Sequence, residues 1–202
     1  MDTREDLLRR LALALPDECT YGQFLEDTIT GLELLYGSRV AEHARASRIS
    51  YPGQSEDVIF SCPLRELLRV TDAGANAVEQ WELGSYGRVL EAMGDFIGGS
   101  YLRSPVGQAF RRITSGDVVK TVEMSIAATR AVATYGQRRF EKTGPTSARL
   151  ILQRELMGPL WIQSIYTKVF RVVSGVPSLS STIAEVRNHG MDFLLLYTWE
   201  AP

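Results

Sequence analysis

Two cysteines, two histidines and a net charge of −2 in 202 residues leave little material for several kinds of chemistry. Cys19 and Cys62 are too few for a disulfide scaffold or a cysteine-based zinc site. His43 falls in a polar helix and His189 at a hairpin tip, so no metal site is expected from them. No run of about 18 apolar residues is present, which excludes a membrane-spanning helix from the expectations. The start, MDTREDLLRR, has no secretory h-region, and with few cysteines a cytoplasmic, reduced location is expected. The catalytic signatures G-x-S-x-G, the P-loop and H-E-x-x-H are all missing. No enzyme activity and no cofactor are therefore expected.

What is there is apolar content and uneven charge. The chain is 45% hydrophobic and 23% charged, enough for one domain over 1–202 with a full core. The small net charge argues against nucleic-acid binding. Residues 101–172 nevertheless hold 12 Lys/Arg against 4 Asp/Glu, and the remainder 10 against 20. Such a split either makes an anion or partner face, with Arg111, Arg112, Arg138 and Arg139 as its candidates, or is neutralised where the two parts meet.

The apolar spacing predicts helices through about residue 130. Leu7, Leu8, Leu11 and Leu15 share a face before Pro16. Thr20 can cap a helix over 21–36 that turns Phe24, Thr28, Leu32 and Leu35 inward before Gly37. A short polar helix follows over 38–47, then a loop marked by Pro52-Gly53 and a short apolar run over 58–61. Cys62-Pro63 opens a helix with Leu64, Leu67 and Leu68 inward, which Gly74 is expected to interrupt before helix resumes over 76–83. The segment 85–97 places Tyr86, Val89, Leu90, Met93 and Phe96 at helical spacing. Gly98-Gly99 is expected to stop it, leaving Tyr101 and Leu102 in a link to the next helix. That helix has Ser104 as cap, Pro105 first, and Val106, Phe110 and Ile113 inward. Asp117 caps another, to about Arg130.

The period then changes. Residues 132–141 and 146–154 alternate around a Gly-Pro turn, which predicts a hairpin, with Ala148, Leu150 and Leu152 on one face. A helix over 159–174 turns Trp161, Ile162, Ile165, Val169 and Val173 inward, and a second hairpin follows over 180–187 and 191–199. The expected fold class is α+β: an N-terminal helical bundle packed on a four-stranded antiparallel sheet, with ββαββ order at the C-terminus. The helical part covers about 1–130 and the sheet part about 131–202.

Several residue types have a chemical reading and a structural one. Cys62 stands at a helix start, where a thiolate can be stabilised, but no partner base is visible and a buried helix-start residue is the simpler reading. Glu26-Asp27 and Glu56-Asp57 read as solvated charge. Ser104 reads as a cap rather than a nucleophile. Trp161, Tyr166 and Phe170 suit either a stacking set or plain helix-on-sheet packing.

A resemblance rests on pieces spread over about 15–200. They are Leu15-Pro16 with Thr20 and Gly22, Phe60-Ser61-Cys62-Pro63, and Ser104-Pro105-Val106-Gly107. The strand Tyr135-Gly136-Gln137-Arg138-Arg139, Ser147-Ala148-Arg149-Leu150 and Tyr197-Thr198-Trp199-Glu200 complete the set. In their order and spacing the chain resembles a myxobacteria-restricted domain of unknown function that occurs as many paralogues. Where that family tends to show Gly-Arg, this chain has Gly107-Gln108. The family is in turn similar to four-vinyl-reductase ligand-binding domains, small TRAPP subunits and haem–nitric-oxide sensors. The resemblance implies a sensor or scaffold module, often dimeric, sometimes with an apolar pocket between helices and sheet. Its haem branch uses a Tyr-x-Ser-x-Arg motif that is absent here.

The expected function is a non-enzymatic binding or regulatory module in signalling. It would hold a small apolar or anionic ligand in an internal pocket, or a protein partner on its surface. Candidate pocket residues are Phe96, Tyr101, Phe110, Trp161 and Tyr166, on the 94–113 stretch and the 159–174 helix over the sheet. Two alternatives stay open: a homodimer or assembly subunit without ligand, and an enzyme acting on an anionic substrate through the arginines.

Overall fold

The structure, a computed structural model, describes residues 2–49, 61–114 and 116–200. The expected apolar run over 58–61 and the Pro52-Gly53 loop lie largely or wholly outside these residues, as do Phe60 and Glu56-Asp57. The helices are α1 (Arg4–Leu13), α2 (Gln23–Tyr36), α3 (Ser38–Ala46), α4 (Leu64–Gln80), α5 (Tyr86–Arg103), α6 (Pro105–Thr114), α7 (Val118–Val132) and α8 (Pro159–Ser174). A two-residue pair, β1 (Cys19–Thr20) with β2 (Cys62–Pro63), ties the N-terminal helices together. Strands β3 (Gln137–Gly144), β4 (Ser147–Gln153), β5 (Ser180–Arg187) and β6 (Asp192–Thr198) form one antiparallel sheet in the order β3-β4-β6-β5. The fold is α+β, with α8 between the two hairpins in sequence.

The sheet buries one face. Ala148, Leu150 and Leu152 of β4 and Phe193, Leu195 and Tyr197 of β6 alternate inward, as a period of two requires. Helix α8 lies over this face and packs Phe170 on Tyr197, ring centroids 5.5 Å apart and the rings tilted by 52°. Its other side meets α5, the most extensive helix–helix contact in the molecule. Buried residues of the helical part and of the sheet form one continuous cluster.

Glycine explains two departures from the expected helix boundaries. Helix α5 does not stop at Gly98-Gly99 but runs on to Arg103, so Tyr101 and Leu102 are helical. Gly94 and Gly98, one turn apart, face α8: a Cβ on Gly94 would collide with the Trp161 carbonyl oxygen, and one on Gly98 would come within 3.2 Å of the Ile165 carbonyl oxygen. These glycines are there for close helix contact, not for termination. Helix α4 likewise passes unbroken through Gly74, whose missing side chain makes room for Leu32.

Other differences concern which side of a helix faces in. On α1 the buried positions are Leu7 and Arg10, while Leu8 is exposed, as is Leu15 beyond the helix end. The Arg10 side chain is wholly enclosed and paired with Asp2 at 2.6 Å. A charged residue on the inner face hides the true stripe from any hydrophobic count. On α2, Leu35 is exposed and Leu25 and Ile29 take the inner face; Asp27 is buried and accepts from Gln23. Thr20 does not cap α2, whose N-cap is Gly22; Thr20 is buried in the β1–β2 pair. On α6, Val106 and Ile113 point outward, and Gly107, Phe110 and Thr114 are buried. Ser104 does cap α6, its Oγ accepting from the Gly107 N–H at 3.1 Å, and Asp117 caps α7, accepting from the Lys120 N–H at 3.0 Å.

Candidate functional site

Five helices surround an apolar cavity of about 270 Å³. The start of α2 brings Tyr21 and Phe24, and the end of α5 brings Tyr101. Val106 opens α6, and α8 supplies Ile165, Tyr166 and Val169. The remaining wall is α7, through Ser125, Ala128, Thr129 and Val132. These four stand at i, i+3, i+4 and i+7, one face of a helix, and all are small. That stripe is why room is left: bulkier residues there would close the space. Val106 and Ala128 are exposed and mark the mouth. Among the described residues, none of the sheet lines the cavity, so it lies among helices rather than between helices and sheet.

Of the five residues expected in a pocket, Tyr101 and Tyr166 line this one. Phe110 stands behind Tyr101, edge-on at 6.4 Å, and Trp161 stands behind Phe24 at 5.6 Å. Phe96 lies elsewhere, against Gly31 of α2. Sequence reasoning missed Tyr21, Phe24 and the whole α7 wall. The small-residue stripe 125–132 was the available signal.

The polar groups at the wall are few. Tyr166 Oη lies 3.2 Å from Thr129 Oγ1. Thr129 spends its own proton on the Ser125 carbonyl at 2.8 Å, so Tyr166 is the donor in that contact. Burial pushes the Tyr166 phenol up, against the Arg138 charge that draws it down. Burial likewise pushes Tyr101 up. Ser125 is buried, and its Oγ has no hydrogen-bond partner.

The arginines do not form one face. Arg138 points inward, almost fully buried, and binds Glu155 together with the Tyr135 carbonyl oxygen at 3.3 Å. Burial works against the Arg138 charge, and the Glu155 carboxylate overrides it and raises the pKa. Arg139, the next residue, points to the outer side and pairs with Glu141 at 2.9 Å, as strand alternation demands. A shallow hollow of about 530 Å³ includes Arg130, Arg138 and Arg139 but neither Arg111 nor Arg112.

Cys62 is not an activated thiol. Burial, with the Glu66 carboxylate adding to it, pushes its pKa up to about 12. Among the described residues, no three of His, Cys, Asp and Glu are grouped as a metal site, and no helix is long and apolar enough to cross a membrane.

Residues 24–198 match the family described as protein of unknown function (DUF2378). The chain belongs to that family. No curated protein matches its sequence. Its fold is similar to that of H-NOX proteins. A mutant Fe(II) unliganded H-NOX protein from K. algicida aligns with a TM-score of 0.69 at 12% identity, covering 90% of this chain and 97% of that one. A structure described as modulating haem redox potential through protein-induced porphyrin distortion aligns at 0.60 and 12% identity, covering 89% and 99%. An oxygen-binding H-NOX domain related to soluble guanylate cyclases, as its oxygen complex, aligns at 0.58 and 12% identity, covering 90% and 95%.

The haem of such neighbours does not fit the residues present here. Haem iron needs an axial ligand from His, Cys, Met or Tyr. Among the described residues, the cavity wall holds no histidine, cysteine or methionine. His43 sits beside Trp81 and His189 beside Arg9. The Tyr166 phenol is committed to Thr129, and its raised pKa opposes the phenolate a metal would bind. The strand start Tyr135-x-Gln137-x-Arg139 differs from Tyr-x-Ser-x-Arg at its centre, and Arg139 faces away, paired with Glu141. At about 270 Å³ the cavity also lies below the range of about 300–1,000 Å³ that holds drug-sized ligands.

Proposed function

We propose that this chain is a non-enzymatic regulatory module that senses a small, non-haem ligand in the helical cavity. The observation that carries this reading is the cavity itself: an apolar, aromatic-lined space, open at Val106 and Ala128, beside the continuous core. Well-packed interiors do not keep such space without cost, because each missing neighbour forfeits dispersion contacts. The fold of ligand-binding H-NOX structures supports a binding role over a catalytic one. Tyr166 links the cavity to the rest of the molecule. It lines the cavity, stacks on Phe170 at 5.2 Å, and stands next to the buried Arg138 of β3. Ligand pressure on Tyr166 therefore reaches the sheet through two routes, packing and charge.

Native mass spectrometry of protein purified from its producing cells tests the reading. A mass excess that disappears on denaturation, and is missing from a cavity-filling Ala128→Phe variant, is expected; a bare mass for both proteins counts against it. Added haem is expected to give no protein-bound Soret band, and a stoichiometric one would restore the haem reading.

A second reading, a homodimer through α6, draws on Val106 and Ile113, seven residues apart and exposed by 59% and 55%. Sedimentation at rising concentration decides it, since a constant monomer mass removes this reading.

A further inference from the structure

We infer that the free edge of β3 is a docking surface for an acidic, extended segment of a partner protein, which adds there as a further strand. The inference concerns a surface apart from the helical cavity and does not depend on it.

The sheet has two edges, β3 and β5. In an antiparallel ladder a residue either exchanges both backbone bonds with a neighbouring strand or turns both away from it, in alternation. The Trp199 N–H donates to the Thr146 carbonyl at 3.1 Å, where the β4–β6 register runs on. Even-numbered residues of β4 therefore bond to β6, and odd-numbered ones to β3. The β3–β4 register then bonds Arg139 to Ile151 and Glu141 to Arg149, and turns the backbone of Arg138, Phe140 and Lys142 outward. Arg130 of α7 agrees with this direction, since it donates to the Arg138 carbonyl at 3.1 Å. Beyond that capped carbonyl, the N–H and C=O of Phe140 and Lys142 have no partner among the described residues. Such a row of unpaired groups is what an added strand bonds to.

Charge selects the occupant. Arg139 and Arg149 stand on the outer face of the sheet and share one carboxylate, that of Glu141. Exposed Lys142 lies on the same strand, and exposed Arg130 reaches it from α7. Two copies of this chain paired edge to edge would set these positive excesses against each other, and like charges across a strand pair destabilise it. Lysine and arginine on an edge guard against self-pairing in this way. The same excess attracts an acidic segment. At the other edge the charges cancel, because Glu185 of β5 pairs with Arg187 at 3.3 Å, and the register is broken between Ala184 and Arg187. Beside the start of β3 a hollow of about 530 Å³, lined by Arg130, Gln137, Arg139, Ile151 and Gln153, has room for a carboxylate side chain of the added segment.

The test follows the fluorescence anisotropy of a short labelled peptide, glutamate alternating with valine, as the full chain is added at low salt. Two further peptides carry serine for glutamate, or a methyl on every backbone nitrogen. The glutamate peptide is expected to bind, and each of the others at least about tenfold more weakly, a backbone hydrogen bond or a charge contact being worth up to about that factor. Lys142→Pro removes one outward N–H, and proline is tolerated on such an edge. It should weaken the glutamate peptide several-fold more than Lys142→Ala, which removes the same charge alone. Equal binding of the methylated peptide reduces the surface to a general attractor of polyanions and overturns strand addition; this arm leaves the protein unaltered and stands even if the proline variant does not fold. Equal binding of the serine peptide overturns the acidic class. Equal effects of proline and alanine at 142, in folded variants, overturn the β3 edge as the site. No binding of the glutamate peptide to wild type overturns the whole inference. A dimer in sedimentation that Lys142→Pro dissolves and Lys142→Ala keeps would give the edge to a second copy instead.

Discussion

The Tyr166 hydroxyl donates to Thr129 Oγ1 across 3.2 Å and so joins α8 to α7 at the wall of the cavity. The direction follows from Thr129, whose proton is already given to the Ser125 carbonyl. Tyr166→Phe keeps the ring and its stacking on Phe170 and removes only this bond. A loss of about 0.5–1.5 kcal/mol is expected from urea unfolding. A larger loss would mean that the phenol also steadies Arg138.

Ser125→Ala should raise stability rather than lower it. It removes a buried hydroxyl without a partner, a group that costs about 1–3 kcal/mol when left unpaired, and it introduces the best helix former in the middle of α7. The melting temperature of ligand-free protein is the measurement. A fall would show that the hydroxyl is satisfied in solution.

The three helix glycines should respond differently to alanine. At Gly94 the new methyl meets backbone, the Trp161 carbonyl, which cannot move without shifting α8. A loss of about 1–3 kcal/mol or more is expected. At Gly98 the gap to the Ile165 carbonyl is 3.2 Å and the loss should be smaller. At Gly74 the obstacle is the end of the Leu32 side chain, which can rotate, and the gain in helix propensity of about 1 kcal/mol offsets part of the strain. The order Gly94, Gly98, Gly74 in denaturant midpoints checks all three.

Arg138→Met leaves the Glu155 carboxylate buried and unpaired, and should cost about 3–5 kcal/mol. Adding Glu155→Gln should recover much of that, because the stranded charge is gone. Arg139→Ala, one residue along, should stay within about 0.5 kcal/mol, since its side chain is 71% exposed. Equal effects at the two positions would contradict the strand register.

Stability should fall on the alkaline side. Cys62 holds its proton up to about 12 when folded, against 9.0 for the free thiol. Burial also raises the phenols of Tyr86, Tyr135, Tyr166 and Tyr197 above 10.0. Between the unfolded and folded values the unfolded chain releases protons that the native state keeps, so rising pH favours unfolding, by about 1.4 kcal/mol per pH unit for each such group. For Cys62 that window runs from 9.0 to about 12. Absorbance at 295 nm should show these four tyrosines ionising only as the protein unfolds. Early, reversible ionisation of all tyrosines would refute their burial.

The α+β class and the ββαββ order of the C-terminal part were legible in the sequence, but the β1–β2 pair was not. Amphipathic spacing along 86–97 and 159–174 and strict alternation over 147–153 are local properties, legible without neighbours. The caps at Ser104 and Asp117 were legible for the same reason. Which exceptions to local rules are tolerated depends on packing between distant elements. Gly94, Gly98 and Gly74 look like helix breakers until another helix presses on them. Arg10 and Arg138 look like surface charge until Asp2 and Glu155, distant or around a corner of the chain, meet them inside. The cavity belongs to this second class. Tyr101 and Tyr166 were visible as large aromatics, but a space is defined by what is missing, and the missing volume is the small-residue wall of α7. Only the packing of five helices together turns that wall into a cavity.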